Sequence, residues 1–415
     1  MTPPQLDAAR SALALVLPMR HPADAALARF FRDHPKLGSR DRAFVAEAVY
    51  GVLRHLRSLE ALCGGRDGRR LLLAWLARQG GHNLREFEPL VREDEFKWLK
   101  QVKAARLDDQ PAAVQLDLPD WLYQRLEATY GARLPELMHA LNRPAPLDLR
   151  VNPLKTERAS VLARLQADGL MAEATPWSPL GIRLKDKPSL HKHALFLDGQ
   201  IEVQDEGSQL LGLLLGPRRG EMVCDFCAGA GGKTMLLGAL MRSTGRLYAF
   251  DVSEKRLNNL KPRLKRSGLS NVQPQLIAGE RDSKVKRLAG KFDRVLVDAP
   301  CSGTGTLRRN PDLKWRQTEA GLAELNAKQA GILAAAATLV KPGGRLVYAT
   351  CSLLEEENEA IVQAFLASHP GFRLVPAGAA LSAQQIPLAM ADYLRLDPVT
   401  HGTDAFFAAV LERTA

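Results

Sequence analysis

The chain lacks several things that would have decided its class at once. It has no low-complexity tract and no internal repeat, which excludes solenoids, arrays and linker-like segments. Its apolar stretches are interrupted by charge or glycine well before the length of a membrane span. The opening MTPPQLDAARSALALVLPMR has neither a basic n-region nor a small-residue cleavage site, so no secretory leader is expected. Cysteine is sparse, at 5 in 415 residues, and the odd count excludes a closed disulfide framework; a reduced, cytoplasmic protein is expected. A metal is not expected either. Cys224 and Cys227 are spaced like half a zinc site, but no second Cys/His pair exists to complete four ligands.

What is present is a large basic chain, with 57 Lys+Arg against 46 Asp+Glu and a net charge of +11. That balance favours a polyanionic partner. Residues 1–140 repeat apolar positions at three- and four-residue steps and predict helices, broken once at Pro35-Lys36-Leu37-Gly38. Residues 141–205 predict a small α/β module with strands in PLDLRVNPLK, GIRLKDK and ALFLDGQIEVQD. From 206 to 415, strand-like runs (EMVCDF, GRLYAFDV, VQPQLIA, FDRVLVDAP, GRLVYATC, AFFAAVLER) alternate with helix-like ones. This predicts a Rossmann-like α/β domain, a mostly parallel doubly wound sheet.

The chemistry concentrates at the ends of those strands. Cys301, in Pro-Cys-Ser, and Cys351, in Thr-Cys-Ser, each follow a buried-strand pattern, so both thiols are expected at one sheet edge. Two thiols at one site suggest a covalent bond that is made and then broken. The first strand of the domain runs into Asp225-Phe226-Cys227-Ala228-Gly229-Ala230-Gly231-Gly232-Lys233-Thr234 and then a helix. A Walker loop needs glycine where Cys227 stands, and a dinucleotide fingerprint needs glycine where Thr234 stands. A nucleoside-binding loop for S-adenosylmethionine remains, with Asp251 closing the next strand as the ribose acceptor. Asp282, or failing it Glu280, follows the third strand as an adenine contact. Glu355, Glu356 and Glu357 read as a charge-favoured helix N-terminus.

With these residues in view, DAPCSGTGTLRRNPDLKW, ATCSLLEEENE and the glycine loop resemble the bacterial Sun/RsmB and eukaryotic Nop2/NSUN RNA cytosine-5 methyltransferases. PDWLYQRLEATYG and LDLRVNPLKTERASVLARL are similar to that family's pre-catalytic region, and the first sixty residues to the NusB-like RNA-binding domain of the RsmB branch. Ala230 replaces the family's usual proline, and Ala405 its usual glycine before Phe406-Phe407.

The resemblance implies a methyltransferase domain with an antiparallel last strand, preceded by a helical NusB-like domain. It implies S-adenosylmethionine bound by residues 227–233, Asp251, Arg256, Asp282 and Asp298. It also implies attack on cytosine C6 by Cys351, release assisted by Cys301, and a base edge held by Asp298. Arg308, Arg309 and Lys314, next in sequence, are expected to grip RNA phosphates. The expected substrate is 16S ribosomal RNA, acted on by a monomer at a single-stranded or loop cytosine. The alternatives are transfer RNA, or an idle RNA-binding assembly factor.

Overall fold

The structure, a computed structural model, describes residues 1–414, which divide into two compact units. The first holds Met1–Pro144 together with Thr306–Glu319. It is helical throughout. Thr2 opens it with a capping box, accepting the Gln5 amide while the Gln5 side chain returns to the Thr2 N–H, and Pro3 follows at the first helical position. The expected break falls where Asp33 ends one helix and Ser39 begins the next. Leu13, Leu53, Leu56, Leu71 and Phe87 form its core, and Trp315 from the late segment packs against them. This helical unit is therefore assembled from two separate stretches of chain, which a linear reading of 1–140 misses.

The second unit contains two sheets. The smaller has strands β1 Leu147–Val151, β2 Ala172–Ala174, β3 Gly181–Leu184 and β4 Ile201–Val203. Their order is β2-β3-β1-β4, antiparallel throughout, with Val161 and Leu165 of helix Arg158–Ala167 packed on Leu149 and Ile182. One expected strand is corrected here. Ala194–Leu197 is a helical turn, capped by His193 Nδ1 accepting from the Leu195 N–H, and only Ile201–Val203 is extended.

The larger sheet carries β5 Met222–Asp225, β6 Arg246–Asp251, β7 Val272–Leu276, β8 Phe292–Asp298, β9 Val340–Thr350, β10 Phe372–Val375, β11 Leu394–Leu396 and β12 Phe406–Arg413. Its order is β10-β12-β9-β8-β5-β6-β7, with β11 paired to β12. Strands β5 to β9 are mutually parallel, and β12 runs antiparallel to β9. The sheet has two more strands than the sequence pattern indicated, because β10 and β11 are too short to show a period. Helices cover both faces, so the central strands are near-continuous apolar runs; Val295, Leu296, Leu346 and Val347 are fully buried.

The chain proceeds outward one way through β5, β6, β7 and the other way through β8, β9, so strand order reverses between β5 and β8. A crevice opens at such a switch point, outside the carboxyl ends of the strands. Asp225, Asp251, Asp298 and Thr350 are the last residues of β5, β6, β8 and β9. Among the described residues, no helix is long and apolar enough to cross a membrane.

Candidate active site

The glycine loop is the first wall of the crevice. Gly229 and Gly231 have φ of +57° and +83°, in the left-handed region that glycine tolerates. A Cβ on Gly231 would lie 2.0 Å from Leu260 Cδ1, so any other residue there would strain the turn and displace that leucine. The loop's peptides are pinned from behind: Ala228 N–H donates to Phe250 O at 2.8 Å, Arg263 donates to Ala230 O at 2.8 Å, and Arg150 to Gly232 O at 2.6 Å. The Gly229 N–H donates to Asp251 Oδ2 at 2.8 Å and the Ser253 N–H to Oδ1 at 2.7 Å. Arg256 lies 3.9 Å from the same carboxylate. Asp251 is thereby aimed, with one lone pair on each oxygen still open to a ligand.

These groups border a cavity of about 340 Å³, a size suited to a nucleoside-bearing small molecule. Cys227, Gly229, Asp251, Arg256, Asp298 and Cys301 all line it. Phe226, Val252, Ile277 and Ile332 give it apolar walls. Those four were not singled out in the sequence, because an apolar lining has the same pattern as core. Lys328, also in the lining, was missed for lack of any motif around it. Burial pushes the Cys227 thiol up, so it stays protonated as a wall of the cavity.

The expected role of Asp282 is corrected. Its Oδ2 accepts the Ala278 N–H at 2.7 Å and its Oδ1 the Lys284 N–H at 2.8 Å, which caps the short helix Ser283–Lys286. Those backbone bonds hold its carboxyl below the usual range, and Asp282 is not among the residues that border the cavity. The carboxylate that lines the cavity after β7 is Glu280.

Lys233 reaches from the glycine loop to the end of β8. Its Nζ lies 2.6 Å from Asp298 Oδ2 and 5.9 Å from the Phe406 ring centroid. Burial works to lower this ammonium, but Asp298 first, then Cys351 and Asp225, outweigh it and hold it up. Asp225, fully buried behind the pair, is pushed up to about 7 by burial, against the lowering effect of the Thr234 hydroxyl on its Oδ2 at 2.7 Å. Its Oδ1 has no partner.

Cys301 Sγ and Cys351 Sγ lie 3.4 Å apart, both half-buried. The contact with Cys351 comes first among the causes that raise the Cys301 thiol, ahead of burial and the charges of Cys351 and Glu357. Two sulfurs this close do not both ionise.

The expected phosphate grip is also corrected. Arg308, Arg309 and Lys314 belong to the helical unit. Lys314 is fully buried there, donating from Nζ to Arg54 O at 2.8 Å and Asn142 Oδ1 at 2.9 Å, and burial lowers it to about 8. Arg308 is 8% exposed, with its carbonyl accepting from the Arg54 guanidinium at 2.9 Å. Only Arg309 keeps partial exposure. Among the described residues no group of three or more His, Cys, Asp or Glu could hold a metal.

A doubly wound sheet with a glycine turn, an aimed aspartate and an apolar-walled cavity at its switch point defines an S-adenosylmethionine-dependent methyltransferase. Sequence comparison gives the particular kind. The description "16S rRNA methyltransferase RsmB/F" matches residues 212–412, and the ferredoxin-like domain of the RsmF/B-like methyltransferases matches residues 118–191. The chain is 32% identical to the ribosomal RNA small subunit methyltransferase B of Sodalis glossinidius, over 97% of this chain and 94% of that one. It is 31% identical to the Klebsiella pneumoniae protein of the same name, over 91% and 92%. A solved methyltransferase homolog from Pyrococcus horikoshii superposes with a TM-score of 0.63 at 30% identity, covering 72% of this chain and 97% of its own. The chain belongs to the RsmB/F family of RNA methyltransferases.

Proposed function

We propose that this protein methylates carbon 5 of a cytosine in 16S ribosomal RNA through a covalent Cys351–cytosine intermediate. The observation that carries the reading is the 3.4 Å approach of Cys301 and Cys351 Sγ at a cofactor cavity that Cys301 and Asp298 line. Carbon 5 of cytosine is a poor nucleophile. Addition of the Cys351 thiolate to carbon 6 pushes electron density onto carbon 5. S-adenosylmethionine, when bound, supplies an electrophilic methyl group to that carbon. The proton on carbon 5 then leaves, the C6–S bond breaks, and the electron pair returns to sulfur.

The chain's own groups divide this work. Asp298 faces the N3/N4 edge of the base, and Lys233 balances its charge. Once Cys351 is bonded to carbon 6 its charge no longer raises Cys301, which loses its own proton to solvent and, as thiolate, accepts the carbon-5 proton during elimination. General acid–base help of this kind is worth about 10²–10⁴-fold. Asp251, Glu280, Arg256 and the 227–232 turn hold the cofactor. The target base has to leave its stack to enter, which favours single-stranded or loop RNA. The reading needs no metal, one copy of the chain, and a reducing, cytoplasmic setting that keeps both thiols free.

The test is methyl transfer from labelled S-adenosylmethionine to purified small-subunit rRNA, followed by bisulfite sequencing. The expected result is one protected cytosine with the wild type and none with Cys351→Ala. Labelling of transfer RNA alone would overturn the ribosomal assignment, and labelling at an exocyclic nitrogen would overturn the carbon-5 chemistry.

A further inference from the structure

Glu357 does not sit on a helix end as its sequence context suggested. It closes a single 3₁₀ turn, Glu355–Glu357, ahead of the helix Glu359–Ser368, and is fully buried. Its four acceptor positions are all taken. Oε1 accepts the Ser302 N–H at 2.8 Å and the Gln329 side-chain amide at 2.9 Å. Oε2 accepts the Ser302 hydroxyl at 2.5 Å and the Ser352 hydroxyl. The Glu357 carbonyl in turn accepts the hydroxyl of Tyr348, fully buried on β9, at 2.7 Å.

The partners are the informative part. Ser302 is the residue after Cys301, and Ser352 is the residue after Cys351. One carboxylate oxygen therefore ties the two thiol loops together, with the serine hydroxyls 3.2 Å from each other. Gln329 reaches the other side of Cys301, donating to Pro300 O at 3.0 Å. Cys301 is thus clamped before and after by groups that both meet Glu357.

We propose that Glu357 is a positioning residue that sets the distance between the attacking and releasing thiols, so that its loss slows product release more than adduct formation. The inference rests on the covalent reading above. Backbone bonds anchor both loops independently: Gly305 N–H to Cys351 O at 2.9 Å and Ala299 N–H to Ala349 O at 2.8 Å. Those bonds keep each loop on the sheet when the clasp is gone, but neither involves the residue that follows a thiol. The clasp, with Thr304 Oγ1 3.3 Å from both serine hydroxyls, joins the two residues that follow the thiols and so sets where Cys301 Sγ sits relative to Cys351 Sγ.

The variant is Glu357→Gln, which keeps the volume and one acceptor oxygen but cannot receive both serine hydroxyls on a second. Steady-state methylation of small-subunit rRNA should show kcat down about tenfold or more, as expected for a displaced reacting group, with KM for RNA and for S-adenosylmethionine within about twofold. Denaturing gels should show more covalent protein–RNA adduct than wild type gives. A second measurement needs no activity. Diamide takes two hydrogen atoms from the thiol pair, forming the Cys301–Cys351 disulfide and the reduced hydrazine. Peptide mapping should find that disulfide forming about tenfold or more slowly in Glu357→Gln than in wild type.

If Glu357→Gln does not fold, Ser302→Ala removes one arm of the clasp and should slow diamide coupling in the same direction. Wild-type kcat and wild-type coupling in a folded variant would overturn the proposal. Cys301→Ala is the control for the covalent reading itself. An absence of adduct there while Glu357→Gln still slows coupling would sink that reading and leave the clasp standing as a geometric device only.

Discussion

The Lys233 ammonium lies 2.6 Å from the Asp298 carboxylate, joining the cofactor loop after β5 to the thiol loop after β8. Lys233 is 13% exposed and Asp298 29%. Asp298→Asn should lower kcat by about 10²–10⁴-fold, the range for loss of a positioned acid–base group. It should also destabilise the unit by less than the ~3–5 kcal/mol of a fully buried broken pair, since water still reaches Asp298. Parallel kinetics and thermal unfolding check both numbers. A variant that loses stability but keeps kcat would show the pair to be structural.

Glu280 and Asp282 are two positions apart and should behave oppositely. Glu280→Gln should weaken S-adenosylmethionine binding by about tenfold or more, the weight of one hydrogen bond to a charged group. Asp282→Asn keeps an N-cap acceptor and should leave affinity within about twofold, while Asp282→Ala should cost about 1 kcal/mol of stability. Calorimetric titration of the three variants tests the assignment, and the reverse order would restore Asp282 to the site.

Asp225 gives a pH signature with a definite sign. Burial raises its folded-state carboxyl from the ordinary 3.8 to about 7. The folded state therefore binds this proton at a pH where the unfolded chain has released it, so this group's contribution to stability grows as pH falls from about 7 toward 4. Asp225→Asn, which mimics the neutral form, should flatten that slope. Melting temperatures of wild type and variant across that range would check it, and parallel curves would contradict it.

Lys314 should prove indifferent to RNA. Its charge is buried among Arg54 O and Asn142 Oδ1, so Lys314→Met should change the slope of RNA affinity against salt by much less than the one unit of a lost phosphate contact. Unfolding of the variant should shift with it, because the two acceptors lose their donor. A drop of one unit in the salt slope would return Lys314 to the RNA surface.

The sheet, the glycine turn and the two thiols were legible in the sequence because each leaves a local mark: apolar runs, forced glycines, a Cys-Ser pair after a strand. Asp251 was legible for the same reason, as the polar end of GRLYAFD. The missed features depend on long-range placement. Nothing near Lys314 signals that residues 306–319 join the helical unit, since Trp315 and Lys314 are paired with residues more than a hundred positions away. Asp282 and Glu280 differ only in which one caps a four-residue helix. Glu357 stands in an acidic run whose other members face solvent or its border, and its inward turn is set by Ser302, 55 residues earlier.

The central claim is that Cys351 attacks and Cys301 lets the product go. Incubation with small-subunit rRNA and S-adenosylmethionine, read on a denaturing gel, addresses it directly. The account predicts a stable protein–RNA adduct with Cys301→Ala and none with Cys351→Ala. An adduct formed through Cys301 in the Cys351→Ala protein would reverse the roles, and no adduct with either variant, while wild type methylates, would contradict the covalent mechanism.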